Sequence, residues 1–173
     1  GIKGFLVKPI NRSVLFDTVM EIFGKESSRR KKKAVKSAKD SEGYKKLKGM
    51  KVLLAEDNEI NQQVATEMLE SVGVRVTIVN NGREAVEAAS KQEFDAVLMD
   101  IQMPEMDGLQ AAKAIRDELK IDKEKLPVIA MTAHAMVEDR EKSMNAGMND
   151  HITKPINPDE LFGTLVKWGK VPV

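Results

Sequence analysis

Residues 51–72 read KVLLAEDNEINQQVATEMLESV, and this stretch decides the fold class of the chain. It begins with a short apolar run over residues 51–55, which is typical of a strand buried on both faces. Two acidic residues follow, and apolar residues then recur at helical spacing over 58–72. Gly73 ends the helical pattern. The stretch therefore predicts a strand, an acidic loop and a helix.

The same alternation continues along the rest of the chain. Further strands are predicted at 74–79, 94–99, 127–131 and 151–153, and further helices at 83–91, 108–119, 136–146 and 158–168. Five strands alternating with five helices predict an α/β fold with a parallel sheet. Methionines at apolar positions of these elements are expected in the core, namely Met99, Met131 and Met144.

Composition excludes several classes of protein. Apolar residues make up 42% of the 173 residues, which is enough for a packed core. There is no cysteine, so neither a disulfide framework nor a thiolate metal site can form. No apolar run approaches the roughly 20 residues needed to cross a bilayer. Because the chain lacks an initiator Met, we expect a piece of a longer, cytoplasmic or membrane-anchored protein whose localisation signals lie elsewhere.

Charge divides the chain into segments. Residues 50–173 contain 14 basic and 22 acidic residues, a net charge of −8, whereas residues 25–49 contain 11 basic and 3 acidic residues, a net charge of +8. This division predicts a complete acidic domain at 50–173 behind a basic linker at 25–49. The linker lacks aromatic side chains interleaved with its lysines and arginines, so no nucleic-acid partner is expected.

The N-terminal residues repeat the C-terminal ones. GIKGFLVKPINRSVLFDTVMEIFGK at 1–25 matches GMNDHITKPINPDELFGTLVKWGK at 147–170, with Lys-Pro-Ile-Asn and Leu-Phe in register. Residues 1–24 are therefore predicted to be the last strand and helix of a preceding, similar domain. A strand and helix of this size cannot bury their apolar surface alone, so we expect them to pack on a complete domain of this kind or to mediate a dimer.

Three carboxylates follow strands that are predicted to be parallel. Glu56 and Asp57 come after the first strand, and Asp100 comes after the third. Since ligands of such sheets bind at the carboxyl ends of the strands, the three should share one pocket. Two such charges about 5 Å apart repel by roughly 3 kcal/mol at an effective dielectric constant of about 20. Mg²⁺ would relieve this repulsion. From these residues alone, simple helix capping by Glu56 and Asp57 stays open.

Two further polar residues are predicted at the same edge. Thr132 closes the fourth strand, and Lys154 closes the fifth. This set suits a phosphoryl group, because the ammonium and a cation neutralise its charge and the hydroxyl can donate a hydrogen bond. Asp100 is the best nucleophile, since a carboxylate can form an aspartyl phosphate.

Four motifs together resemble one known family. They are VLLAEDNEINQQVA at 52–65, FDAVLMDIQMPEMDG at 94–108, PVIAMTAHAM at 127–136 and the Lys-Pro of HITKPI at 151–156. In this order they resemble response-regulator receiver domains, and they are most similar to receivers fused to hybrid histidine kinases. The resemblance implies a flavodoxin-like, doubly wound sheet of five parallel strands in the order 2-1-3-4-5, with five helices.

The resemblance also implies a role for each acidic residue. Asp100 matches the phosphoacceptor, and Glu56 and Asp57 match the acidic pair that positions Mg²⁺. The backbone carbonyl of Gln102 would complete the protein ligands. Such a domain takes a phosphoryl group from a phosphohistidine and catalyses its own phosphoryl transfer and dephosphorylation.

The switch residues follow from the same resemblance. Thr132 matches the switch hydroxyl, and Lys154, whose bond to Pro155 is expected to be cis, matches the lysine that contacts the phosphoryl group. His151 lies where many members carry a Tyr or Phe that swings inward on activation, and a plain surface histidine stays open there. Gln102 and His134 occupy positions that tune dephosphorylation in the family.

Three other functions have sequence requirements that can be compared with these residues. A phosphatase forming an aspartyl phosphate would need a second carboxylate two residues after the nucleophile, where Gln102 stands. A nucleotide-binding domain would need a Gly-rich loop after the first strand, where the sequence is EDNE at 56–59. A receiver-like interaction module that is not phosphorylated would be expected to lack one of the polar site residues, and none is lost.

The expected partner is a histidine kinase or a histidine phosphotransfer domain. Ile60 falls on the outward side of the first helix in the family pattern, and an exposed apolar residue there is a candidate partner contact. A surface isoleucine without a partner is the alternative.

Overall fold

A computed structural model describes residues 42–133 and 137–170 of the chain. The strand, acidic loop and helix predicted over residues 51–72 are all present. Strand β1 (Lys51–Ala55) leads into helix α1 (Glu59–Ser71). The Asn58 side chain accepts hydrogen bonds from the backbone N–H groups of Ile60 (3.0 Å) and Asn61 (3.2 Å). This cap satisfies amides that have no partner within the helix, so α1 begins directly behind the acidic pair.

The other predicted elements follow with boundaries that differ by at most two residues. They are β2 (Arg75–Val79), α2 (Gly82–Lys91), β3 (Ala96–Asp100), α3 (Gly108–Asp117), β4 (Val128–Thr132), α4 (Val137–Asn145), β5 (Asp150–Thr153) and α5 (Pro158–Trp168). Asp100 and Thr132 are thus the last residues of their strands. None of the described helices is long and apolar enough to cross a membrane.

The five strands form one parallel sheet in the order β2-β1-β3-β4-β5. This confirms the order that the family resemblance implied. Strand order reverses between β1 and β3, so the chain leaves these two neighbours on opposite faces of the sheet. A crevice opens at their carboxyl ends, which is where such folds bind ligands.

Apolar side chains fill both faces of the sheet. One core lies under α1 and α5, and the other lies under α2 and α3. Met99 and Met131 are fully buried, as predicted. The prediction for Met144 was wrong, since its side chain is 39% exposed. Helix α4 is mostly polar (VEDREKSMN), and the small neighbour Ser143 takes the buried position.

Residues ahead of β1 also belong to this packing. A 3-10 helix (Glu42–Leu47) precedes the sheet, and both Leu47 and Met50 are fully buried in the core under α1 and α5. The Tyr44 ring lies 5.1 Å from the Phe162 ring of α5. The predicted linker at 25–49 therefore ends in residues that pack on the domain. The rest of it, and the predicted fragment at 1–24, lie outside the described residues.

Candidate functional site

Three carboxylates meet at the carboxyl edge of the sheet. Glu56 and Asp57 directly follow β1, and Asp100 ends the neighbouring strand β3. One carboxylate oxygen from each of the three lies within 4.8 Å of the others. Glu56 and Asp100 are 1% and 6% exposed, whereas Asp57 is open to solvent. The structure therefore brings together the three acidic residues that the sequence placed in one pocket.

Lys154 lies between the two buried carboxylates. Its Nζ donates to Glu56 Oε2 at 2.6 Å and to Asp100 Oδ2 at 2.5 Å. The residue follows β5, and its peptide bond to Pro155 is cis, as the family resemblance implied. One ammonium faces three carboxylates, so the cluster keeps an excess of negative charge.

The same contacts shift two pKa values. Burial raises the pKa of Asp100 above its ordinary value, although the ammonium of Lys154 acts in the opposite direction. Burial alone would lower the pKa of Lys154, but its hydrogen bonds to Asp100 and Glu56 outweigh that effect and raise it. Lys154 is therefore a permanent cation at neutral pH.

The cluster lines a cavity that also contains uncharged polar groups. Thr132, at the end of β4, and Gln102, in the loop after β3, both line it. The backbone N–H of Gln102 donates to Asp100 Oδ1 at 3.1 Å. Asp139 of α4 also lines the cavity. The predicted phosphoacceptor, metal ligands, switch hydroxyl and lysine therefore border one cavity.

The donor set of this cavity fits Mg²⁺. The ion is a hard cation that prefers oxygen ligands and takes one or two carboxylates beside water or phosphate oxygens. Glu56, Asp57 and Asp100 offer three such carboxylates, and their uncompensated charge favours a divalent cation. No thiolate or imidazole competes within this group.

Sequence reasoning missed two residues that hold Glu56. Asn61 Nδ2 donates to Glu56 Oε1 at 2.9 Å, and Gln62 Nε2 donates to the Glu56 backbone carbonyl at 2.6 Å. Gln62 Nε2 also donates to Asn80 Oδ1 at 3.0 Å. The available signal was the run of polar amide residues on the first turn of a helix that follows an acidic pair.

His151 and Ile60 lie away from the cavity lining. His151 is half-buried on β5, with Nδ1 3.5 Å from Asp150 Oδ1. Burial alone would raise the pKa of Asp150, but hydrogen bonds from Lys167, Trp168 and the His151 backbone N–H lower it. Ile60 is 53% exposed in the first turn of α1. His134 lies outside the described part of the chain.

Comparison with known proteins gives consistent relatives. The family model described as "Response regulator receiver domain" matches residues 52–166. The sensor protein GacS of Pseudomonas syringae pv. syringae is 42% identical over 119 residues, which cover 68% of this chain and 13% of GacS. The chain thus spans only a small part of the length of this relative.

Two solved structures resemble the fold. The receiver domain of sensor histidine kinase PA1611 from Pseudomonas aeruginosa PAO1, crystallised with a magnesium ion coordinated in its active site cleft, is 43% identical with a TM-score of 0.62. The match covers 69% of this chain and 97% of that one. A chain from the Saccharomyces cerevisiae co-crystal of the histidine phosphotransfer protein Ypd1 with the Ssk1 receiver domain is 30% identical, with a TM-score of 0.66, and the match covers 71% and 90% of the two chains.

The match to the family model spans most of the chain, and the sheet has the strand order that this family requires. The similarity to PA1611 extends over nearly the whole of that receiver domain. This chain therefore belongs to the response regulator receiver domain family of two-component signalling proteins.

Proposed function

We propose that this receiver accepts a phosphoryl group on Asp100, from a phosphohistidine and with Mg²⁺, as a step of a phosphorelay. The observation that carries the proposal is the convergence of Glu56, Asp57 and Asp100 with Lys154 at one edge of the sheet. An acidic cluster that served only as helix caps would not need a lysine shared between its two buried members.

The chemistry assigns one bond change to Asp100. A carboxylate oxygen of Asp100 forms a bond to phosphorus while the phosphorus–nitrogen bond of the donor histidine breaks, and the electron pair of that bond returns to the imidazole. Bound Mg²⁺ would neutralise charge on the transferring group, held by Glu56, Asp57, Asp100 and the backbone carbonyl of Gln102. Hydrolysis of the aspartyl phosphate later restores the free carboxylate.

The phosphorylated state would rearrange the residues around Asp100. Lys154 would exchange its contact with the Asp100 carboxylate for one with a phosphoryl oxygen, and the Thr132 hydroxyl would donate to the same group. These new contacts shift an existing equilibrium by their differential affinity for the two states. His151 lies on β5 beside β4, opposite Ala130, and is the proposed second residue of the switch.

The proposal predicts Mg²⁺-dependent phosphorylation by a small donor. After incubation with acetyl phosphate and Mg²⁺, intact-mass spectrometry should show the addition of one phosphoryl group. No addition should be seen when a chelator is present during the incubation. Equal labelling with and without Mg²⁺ would contradict the metal assignment. No labelling under either condition would instead favour the alternative function, a receiver-like interaction module that is not phosphorylated.

Ile60 is the proposed contact with the phosphohistidine donor, a histidine kinase or a histidine phosphotransfer domain. Its side chain is exposed next to Asn61, which lines the cavity, so a partner covering the cavity would also cover Ile60. The co-crystal of Ypd1 with the Ssk1 receiver shows that a similar domain pairs with such a phosphotransfer protein. A buried apolar anchor commonly carries a large share of binding energy.

Replacing Ile60 with Asp is expected to slow phosphoryl transfer from such a partner about tenfold, because a loss of about 1.4 kcal/mol of binding free energy changes affinity by that factor. Labelling by acetyl phosphate should stay unchanged. Ile78→Asp is a matched control, since Ile78 is 42% exposed but lies on the edge strand β2. Equal slowing with both donors would show that the substitution damages the domain and not the contact.

The regions outside the described residues remain part of the proposal. Residues 1–24 would be the end of a preceding receiver-like domain, with a basic linker behind them, in a longer hybrid histidine kinase. Light scattering of the chain with and without residues 1–24 would test their proposed role in a dimer. The receiver would lie in the cytoplasm, where its proposed partners would meet it. The parent protein could carry a membrane anchor or lack one.

A further inference from the structure

We infer that Asn61 is a positioning residue, which holds the Glu56 side chain in the orientation that binds the metal. The inference rests on the proposed Mg²⁺ site. It starts from two consecutive amide side chains on the first turn of α1 that both bind Glu56. Asn61 binds its carboxylate, and Gln62 binds its backbone carbonyl.

The direction of the Asn61 contact follows from chemistry. An ionised carboxylate only accepts hydrogen bonds, so the atom of Asn61 that lies 2.9 Å from Glu56 Oε1 is the amide nitrogen. Glu56 is 1% exposed, and water is largely excluded from it. Hydrogen bonds to a charged group of this kind are stronger than those between neutral groups.

Glutamate at position 56 has a particular need for such a contact. Its side chain is one methylene longer than that of aspartate, so ordering it costs more conformational entropy. Lys154 holds Oε2 at 2.6 Å, and Asn61 holds Oε1. The Asn58 backbone N–H also lies 3.4 Å from Oε1, so Lys154 and Asn61 are the two side chains that fix the carboxylate.

The two contacts differ, because Lys154 must also contact the reacting groups. In the proposed phosphorylated state the Lys154 ammonium contacts a phosphoryl oxygen, and its hold on Glu56 weakens. The Asn61 amide belongs to α1, whereas the residues proposed to contact the phosphoryl group lie at the ends of β4 and β5, so its contact with Glu56 can persist. Asn61 is then the side chain that keeps Glu56 directed at the metal, at a shorter distance than the Asn58 backbone N–H.

Gln62 fixes the backbone of the same residue. Its Nε2 also donates to Asn80 Oδ1, and the Asn80 backbone N–H donates to Glu84 Oε2 at 2.8 Å. The end of β1 is thus tied to the loop between β2 and α2. Asn61 orients the carboxylate on a backbone that Gln62 keeps in place.

Direct binding of Mg²⁺, measured by isothermal titration calorimetry without any phosphodonor, tests the inference. Asn61→Ala is expected to raise the Mg²⁺ dissociation constant about tenfold or more, which is typical when a group that orients a metal ligand is removed. Alanine is a better helix former than asparagine, so weakening of α1 would not account for the loss. Asn61→Leu, which keeps the volume without the donor, should give the same result.

Gln63→Ala is the matched control on the same helix. Gln63 Nε2 donates to Glu67 Oε1 at 3.1 Å on the exposed face, so the same kind of bond is removed far from the cavity. Its Mg²⁺ affinity should equal that of the wild type. In a Glu56→Gln background, Asn61→Ala should change the remaining affinity by no more than about twofold, since its effect acts through Glu56.

Wild-type Mg²⁺ affinity in Asn61→Ala would overturn the inference, and so would an undiminished effect in the Glu56→Gln background. Failure of the proposed function would give a different result. In that case the wild type would not bind Mg²⁺, or Glu56→Gln and Asp57→Asn would leave Mg²⁺ binding unchanged. Urea unfolding of each variant shows that the protein is folded under the conditions of the titration.

Discussion

Asp100→Asn is expected to abolish Mg²⁺-dependent phosphorylation by acetyl phosphate, the largest functional effect of any single substitution in this chain. Asn has nearly the same shape as Asp, but its amide is a poor nucleophile and carries no charge to attract a cation. Asp100 is also the one site carboxylate that both ends a central strand and receives the Lys154 ammonium. Intact-mass spectrometry after incubation should show the unmodified chain.

The fold should survive this change. The two donors bind different oxygens of Asp100, and the single amide oxygen of Asn can accept from Lys154 or from the Gln102 backbone N–H. The contact that is lost lies at the edge of the sheet and not in either apolar core. Asp107→Asn is the matched control, because Asp107 caps α3 through the Gln110 N–H (2.8 Å) and Asn also serves as a cap. That variant should be phosphorylated like the wild type. A labelled Asp100→Asn chain would place the acceptor elsewhere.

Gly108→Ala is expected to lower the free energy of unfolding by about 3 kcal/mol or more, the largest loss of stability among the substitutions predicted for this chain. Severe overpacking has effects of this size. A Cβ atom on Gly108 would lie 2.1 Å from the Asp100 backbone oxygen and 3.0 Å from Met99 Cγ. The Asp100 carbonyl belongs to β3, which is held between β1 and β4 and has little room to move. The strain would therefore fall on the residue that carries the phosphoryl group.

Urea unfolding followed by circular dichroism measures this effect, and labelling by acetyl phosphate should fall as well. Gly163→Ala is the matched control, since Gly163 lies within α5 and a Cβ atom there meets nothing within 4 Å. That substitution should stabilise the chain by about 0.5–1 kcal/mol, because alanine loses less backbone entropy in a helix. Equal stability of the two variants would contradict the steric argument.

Much of the site was readable from the chain itself. Glu56, Asp57, Asp100, Thr132 and Lys154 all follow or end predicted strands, and strands of one parallel sheet present their carboxyl ends at one edge. Their grouping at one cavity is confirmed by the structure. The order of the strands that carry these residues was implied by the family resemblance, because hydrophobic periodicity does not show which strands are neighbours.

The boundaries of the domain were harder to predict. The composition of residues 25–49 predicted a basic linker, because lysines dominate this segment and Leu47 does not stand out among them. The buried position of Leu47, and the Tyr44 ring against Phe162, depend on a surface made by α1 and α5. Those two helices are far apart in sequence, so a pattern read along one segment does not reveal the surface that they share.

The sequence by itself determined the elements of this protein, since hydrophobic periodicity, caps and turn residues act over a few neighbouring residues. Only the tertiary structure decided how side chains pair across the site. Lys154 reaches Glu56 over 98 residues and Asp100 over 54. Gln62, which holds the Glu56 backbone carbonyl, also reaches Asn80 in the loop after β2. Such contacts depend on the placement of whole elements to within an ångström or so, and that placement is set by the packing of both cores together.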